Sequence, residues 1–172
     1  KLMLLALDRE GQTLWQRNFG PHKAINGAGT SPIIVGDLVV LMNVQMDPNF
    51  MIRIGVFPKN YPDKTKHDSF LVAVDRKSGK TVWKTSREGQ TRSYSTPIVW
   101  KSSKERVLVV AGALKMTAYD IKTGKPLWWV NGLSRIVDTT PVTTADHLYM
   151  ASWTPGGDLT ERIAMEPFPE AL

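Results

Sequence analysis

The chain has 172 residues, with 22 Lys and Arg against 16 Asp and Glu, a net charge of +6 and no Cys. A hydrophobic share of 42% beside 22% charged residues excludes wholesale disorder, and the lack of Cys excludes a disulfide framework, a thiolate zinc site and a cysteine nucleophile. The longest apolar run, residues 107–114, falls short of the roughly 18 residues of a membrane-spanning helix, and Lys and Arg are scattered through turns instead of gathered with aromatics, so nucleic acid is not an expected partner.

In chain order, the first segment with internal structure is residues 5–15, and it returns as residues 72–83 and 117–128. Each copy has Ala-x-Asp (Ala6 and Asp8, Ala73 and Asp75, Ala118 and Asp120). A polar turn with Gly follows, including Gly79 and Gly124, and then an apolar residue and Trp (Trp15, Trp83, Trp128). After each Trp comes a Pro-led segment, at residues 30–35, 95–100 and 139–143, and then an apolar run. Asp75 and Asp120 are 45 residues apart and Asp8 and Asp75 are 67 apart. The excess falls between an apolar run and the next Ala-x-Asp, so it reads as an insertion at residues 45–68 within one unit.

Each unit predicts four short strands. Along residues 70–75, Phe70, Val72 and Val74 share one face and Leu71, Ala73 and Asp75 the other, because side chains alternate in an extended chain. Gly79 and Gly124 are expected at positive φ in hairpin turns, and the Asp before each turn is expected to accept from the turn's own amides. A repeated four-stranded unit of this length is the signature of a propeller blade. The predicted class is therefore all-β: a β-propeller fragment of about three four-stranded antiparallel blades. Two are complete, at residues 30–85 and 95–131, with half a blade before and half after. The Trp residues are assigned to packing between blades. Residues 1–152 make up the blades. Residues 153–172 form a divergent tail, in which Asp158 and Glu161 have the spacing of a capping box, starting an insertion or a segment that leaves the propeller. The sequence opens at Lys1 inside a strand, with neither initiator Met nor secretory signal, and reads as trimmed at its N-terminus.

The pattern in residues 73–83 and 118–128, Ala-x-Asp-x-x-(Thr/Ser)-Gly-Lys-x-x-Trp, resembles the repeat of the quinoprotein-like (pyrroloquinoline-quinone-type) β-propeller family. The resemblance covers residues 2–152 and implies a parent propeller of seven or eight blades. It also implies a periplasmic or extracellular, cell-envelope location. The family includes quinone-dependent dehydrogenases and propellers without cofactor, among them the lipoprotein type that scaffolds outer-membrane barrel assembly. A dehydrogenase of the family needs pyrroloquinoline quinone with calcium, a catalytic acid and quinone-stacking groups. No residue here maps onto a catalytic, cofactor-binding or metal motif, so the reading is a non-catalytic binding and scaffolding module, leaning away from an enzyme and expecting no cofactor. Part of a pyrroloquinoline-quinone-dependent alcohol or sugar dehydrogenase is the alternative.

Other motifs carry little. Residues 78–81 look like the end of a phosphate loop, but the Gly required upstream is replaced by Val74 and no helix follows. The three His residues stand far apart and lack ligand spacing. A recurring Asp at one blade position argues for turn structure, since a catalytic acid occurs once. Binding is expected on the loops joining each outer strand to the next inner one, together with the insertion. There His22, Lys23, Arg92, Tyr94, Arg135 and Asp138 form a candidate rim for a protein or glycan partner. The insertion's apolar residues, including Met46, Met51 and Phe57, are expected to pack as a flap on their own blade.

Overall fold

A computed structural model describes residues 1–24, 27–53, 55–91, 93–134 and 136–152. Among the described residues, all regular elements but one short helix are strands. β1 (Met3–Leu7) and β2 (Thr13–Asn18) form a two-stranded sheet. β3 (Ile33–Val35), β4 (Leu38–Asn43), β5 (Phe70–Asp75) and β6 (Thr81–Ser86) form a four-stranded sheet in chain order. β7 (Ile98–Lys101), β8 (Arg106–Ala111), β9 (Lys115–Tyr119) and β10 (Pro126–Asn131) form the next, and β11 (Val142–Thr143) pairs with β12 (Leu148–Tyr149). Every pairing within these sheets is antiparallel. These are the two complete and two partial blades that the repeat predicts. The tail after Ser152 lies outside the described residues.

Apolar residues of adjacent sheets meet in three seams. Leu2, Leu4, Phe70, Val72 and Val74 fill the seam between the β1–β2 unit and the first full blade. Val40, Met42, Leu71, Ala73, Leu108 and Val110 fill the seam between the two full blades. Val107, Val109, Ala118 and Val137 face the last unit, with Leu148 and Met150 against them. The two faces of β5 thus serve two different seams, as the alternation of its residues requires.

The repeat residues show how neighbouring blades lock. Ala6, Ala73 and Ala118 stand directly across the ladder from Trp15, Trp83 and Trp128. A small residue there leaves space for the indole on the shared face. The Trp83 ring reaches the next blade, where its Nε1 donates to the Ile121 carbonyl at 3.0 Å, and Trp15 Nε1 donates to the Arg76 carbonyl at 2.9 Å. Gly79 has φ 68° and lies under the Trp15 ring, so close that a Cβ would stand 2.7 Å from Cδ2. Gly124 has φ 69°, and a Cβ there would run into the Trp83 ring. Each glycine therefore serves both the turn and the blade contact. Trp128 makes no such interblade bond among the described residues. Its Nε1 donates to Glu105 at 3.1 Å, and its ring meets Trp100 edge to face at 6.2 Å.

The acids behave as turn residues. Asp75 accepts from the Ser78 amide at 2.8 Å and the Ser78 hydroxyl at 2.6 Å, and Asp120 accepts from Thr123 N and Oγ1, each at 2.7 Å. Those hydroxyl bonds are the main reason that both carboxyls are held below the usual carboxylate range. Asp8 accepts from the Glu10 and Gln12 amides in the first copy. The apolar residue before each Trp is not a core residue. The register shifts at that point in all three hairpins, and Leu14, Val82 and Leu127 are left exposed.

The insertion departs from the expectation of a flap on its own blade. It contains one short helix, α1 (Pro48–Arg53), opened by Asp47, whose carboxylate accepts from the Asn49 amide at 2.9 Å, with Pro48 at the first helical position. Met51 of α1 is fully buried against Ala113 and Leu114, in the β8–β9 turn of the following blade, with Met46 and Phe57 packed around them. A six-residue helix cannot bury an apolar face by itself, and the β8–β9 turn supplies the missing wall.

Candidate functional site

Chain direction alternates between neighbouring strands, so the β2–β3, β6–β7 and β10–β11 connections emerge at one end of the sheets, together with the insertion and the β8–β9 turn. Of the sequence-predicted rim, His22, Lys23, Tyr94 and Asp138 lie in these connections. Arg92 and Arg135 lie outside the described residues. His22 Nδ1 is 2.8 Å from the Asn43 Oδ1 at the end of β4, fixing the β2–β3 loop to the first full blade. Lys23 is not an open cation for a partner. Its Nζ pairs with Asp63 of the insertion at 2.5 Å, and its backbone N–H donates to Gln45 Oε1 at 2.7 Å. The Lys23 ammonium, through the side-chain bond, holds the Asp63 carboxyl far below the ordinary range.

Tyr94 and Asp138 are brought near each other. Ser93 and Val137 form a parallel bridge, and the Tyr94 amide donates to the Val137 carbonyl at 2.9 Å. The Tyr94 ring lies against Gly29, where a Cβ would be 2.8 Å from Cδ1, so the loop before β3 needs a glycine there. Asp138 is exposed. The hollow among His22, Gly29, Ser93 and Tyr94 has a volume of about 10 Å³, room for no more than one water.

The insertion is stitched across this face. Asp47 N–H reaches Thr91 Oγ1 at 3.4 Å, Lys66 pairs with Glu88 at 2.6 Å, and Gln45 N–H donates to Ser69 Oγ at 2.8 Å. Their mutual bond raises the Lys66 pKa and lowers that of Glu88. One chemically distinct feature on the same face was not foreseen from the sequence. It is a cavity of about 130 Å³ between the two full blades, lined by Arg87, Gln90, Lys115, Thr117 and Tyr119 among others. Arg87 sits one residue before the expected β6–β7 loop. The signal that would have found it is a comparison of equivalent positions between units.

Among the described residues the repeated acids have structural partners in their turns, and no three His, Cys, Asp or Glu side chains gather as metal ligands.

Four-stranded antiparallel units joined by a recurrent Trp-on-Gly contact define a run of β-propeller blades of the pyrroloquinoline-quinone-type repeat. Residues 67–162, more than half of the chain, match the family model described as outer membrane protein assembly factor BamB, and the chain belongs to that family. No curated protein matches it. Among solved structures it is similar to BamB from Moraxella catarrhalis, with 22% identity, a TM-score of 0.58, and coverage of 87% of this chain and 40% of that one. The quinohemoprotein alcohol dehydrogenase from Comamonas testosteroni is also similar, with 19% identity, a TM-score of 0.49, and coverage of 76% and 18%. At this identity the likeness to the Moraxella protein shows the fold alone. The chain spans 40% of the length of the Moraxella protein. Among the described residues no helix is long and apolar enough to cross a membrane.

Proposed function

We propose that these blades belong to a non-catalytic propeller that binds a protein partner in the bacterial cell envelope, in the periplasm, as part of an assembly scaffold. The observation that carries the reading is the loop face. Three connections and an insertion are tied to one another by polar bonds and anchored on two rigid sheets, presenting a broad pre-arranged surface. Rigid sheets presenting pre-arranged loops lower the ordering cost of association. Membership of a family named for outer membrane protein assembly supports a protein as the partner, and His22, Tyr94 and Asp138 are the described residues proposed to meet it. Arg92 and Arg135 are proposed for the same rim from their sequence positions. No quinone takes part in this function.

Calorimetric titration of the full chain with pyrroloquinoline quinone and calcium tests the non-catalytic half of this reading. A trace equal to the dilution heat is expected. Stoichiometric uptake, with electron transfer from an alcohol or sugar to a dye, would replace the scaffold with a dehydrogenase.

A further inference from the structure

Leu114 is conformationally out of place. Among the described residues it is the one non-glycine with positive φ, at 69°. It sits in the β8–β9 hairpin turn, which the Gly112 N–H closes by donating to the Lys115 carbonyl at 2.9 Å. A turn position at positive φ ordinarily takes Gly or Asn, because a bulky side chain crowds its own backbone there. Such a conformation persists only where the surroundings hold it.

Two sets of contacts hold Leu114. Its side chain is 1% exposed and packs with Met51 of α1, itself at 0%. The Met51 carbonyl accepts from the Val56 and Phe57 amides at 2.9 and 3.1 Å, which fixes the methionine where the insertion turns back after α1. On the backbone side, the Leu114 N–H donates to the Ser134 carbonyl at 2.9 Å, and the Leu114 carbonyl accepts from the Gly132 and Leu133 amides at 3.1 and 3.3 Å. The angle φ sets how the N–H and the carbonyl of one residue are turned relative to each other. These three bonds to the β10–β11 connection therefore depend on the left-handed value.

The same connection leads to the rim. Ser134 Oγ donates to the Ile136 carbonyl at 2.6 Å, and the next carbonyl, of Val137, accepts from the Tyr94 and Ser95 amides at 2.9 and 3.1 Å. Asp138 follows directly in the chain. Ser93 Oγ lies 3.1 Å from the Val137 carbonyl and 3.4 Å from that of Ala111, where β8 enters the turn. Gly112 lies so close to the Gln90 side chain that a Cβ would stand 2.0 Å from Oε1. The turn thus touches the insertion and both rim connections. In the first full blade the equivalent connection, between β4 and β5, is the insertion itself. One blade's connection has lengthened until it rests on the same connection of the next.

We propose that Met51 is a positioning residue for the rim. Seated on the β8–β9 turn, it keeps Leu114 at positive φ, and Leu114 in turn holds the connections that carry Tyr94 and Asp138. A partner that engages the insertion therefore also acts on the rim, through a contiguous chain of packed and hydrogen-bonded groups. The partner-facing role of Tyr94 and Asp138 rests on the binding-module reading above, and the link from Met51 to the rim does not.

The test uses the full chain and reads the backbone amide resonances of Gly132 and Tyr94, neither of which belongs to the Met51 cluster. In Met51→Ala both resonances are expected to shift from their parent positions. Leu114→Gly alone should leave the Tyr94 resonance in place, because glycine adopts positive φ unaided. Met51→Ala combined with Leu114→Gly should return Tyr94 to its parent position, a rescue that a merely structural role of Met51 does not produce. Unshifted resonances in Met51→Ala, a shifted Tyr94 in Leu114→Gly, or no rescue in the double variant overturns the proposal. Should Met51→Ala not fold, the Leu114→Gly and double variants still decide it. No partner takes part in the measurement, so failure of this link and failure of the binding-module reading are distinguishable.

Discussion

Two seams of the same propeller are built on one plan and end differently. Between the β1–β2 unit and the first full blade, the contact is apolar: Leu2, Leu4, Phe70, Val72 and Val74, with Phe19 against them. Between the two full blades, the same plan begins with Leu71, Ala73 and Leu108, and then turns polar at Thr117, Tyr119 and Arg87 near the loop face. Both seams carry the same Trp-on-Gly lock. The lock is therefore the scaffold, and the polar end is an addition. In a repeat protein the residues that recur hold the blades together, and those that break the pattern are where a specific role is to be sought.

Removing the shared lock should have the largest effect. Trp83→Ala deletes a buried indole and its bond to Ile121, and a loss of about 3–5 kcal/mol is expected in denaturant unfolding of the full chain. A loss under 1 kcal/mol would show that the lock is incidental. Gly124→Ala should cost about 1–3 kcal/mol, because it combines positive φ with a clash against the Trp83 ring. Gly36, also at positive φ but with nothing near its Cβ, should cost less when changed to Ala, and that difference separates the blade contact from backbone strain.

The docking of the insertion gives a third contrast. Met51→Ala should destabilise by about 2 kcal/mol or more and should open residues 45–68 to limited proteolysis while leaving the sheets protected. Cleavage unchanged from the parent would show that the β8–β9 turn does not hold the insertion. The smallest effect concerns the turn acids. Asp75 and Asp120 have lowered folded pKa values, so their contribution is present above the ordinary carboxylate range, near pH 4, and is lost as pH falls through the lowered values. Asp75→Asn with Asp120→Asn should flatten the acid limb of the stability curve, with a loss at neutral pH smaller than that of Gly124→Ala. An unchanged acid limb would contradict the turn assignment.

The fold was legible because its determinants are local and recur. Ala opposite Trp, Asp before a turn and Gly within it repeat at fixed spacing, and each position states its own requirement. The residue before Trp was less transparent: Leu14, Val82 and Leu127 read as apolar strand residues, yet the hairpin bulge turns them to solvent. The insertion's wall was invisible in sequence because Met51 meets Ala113 and Leu114 through a long-range contact that no spacing rule encodes. Of the rim, the sequence placed His22, Lys23, Tyr94 and Asp138 in loops of one face but did not show the state of each side chain. Lys23 proves to be tied to Asp63, and Tyr94 is set by Gly29. The Arg87 cavity was missed because its residues look ordinary one at a time. Only the strand register reveals that they replace Phe19, Phe70 and Val72.

The central claim, a protein-binding loop face on an inert scaffold, is tested most directly by site-specific photocrosslinking of the full-length protein in its native envelope. A photoreactive residue would be placed at Tyr94 or Asp138 on the loop face, and at Lys104 in the β7–β8 turn on the opposite face. One discrete protein adduct from the first two positions, with none from the third, is the predicted result. Adducts of equal yield from both faces, or none from the loop face, would contradict it.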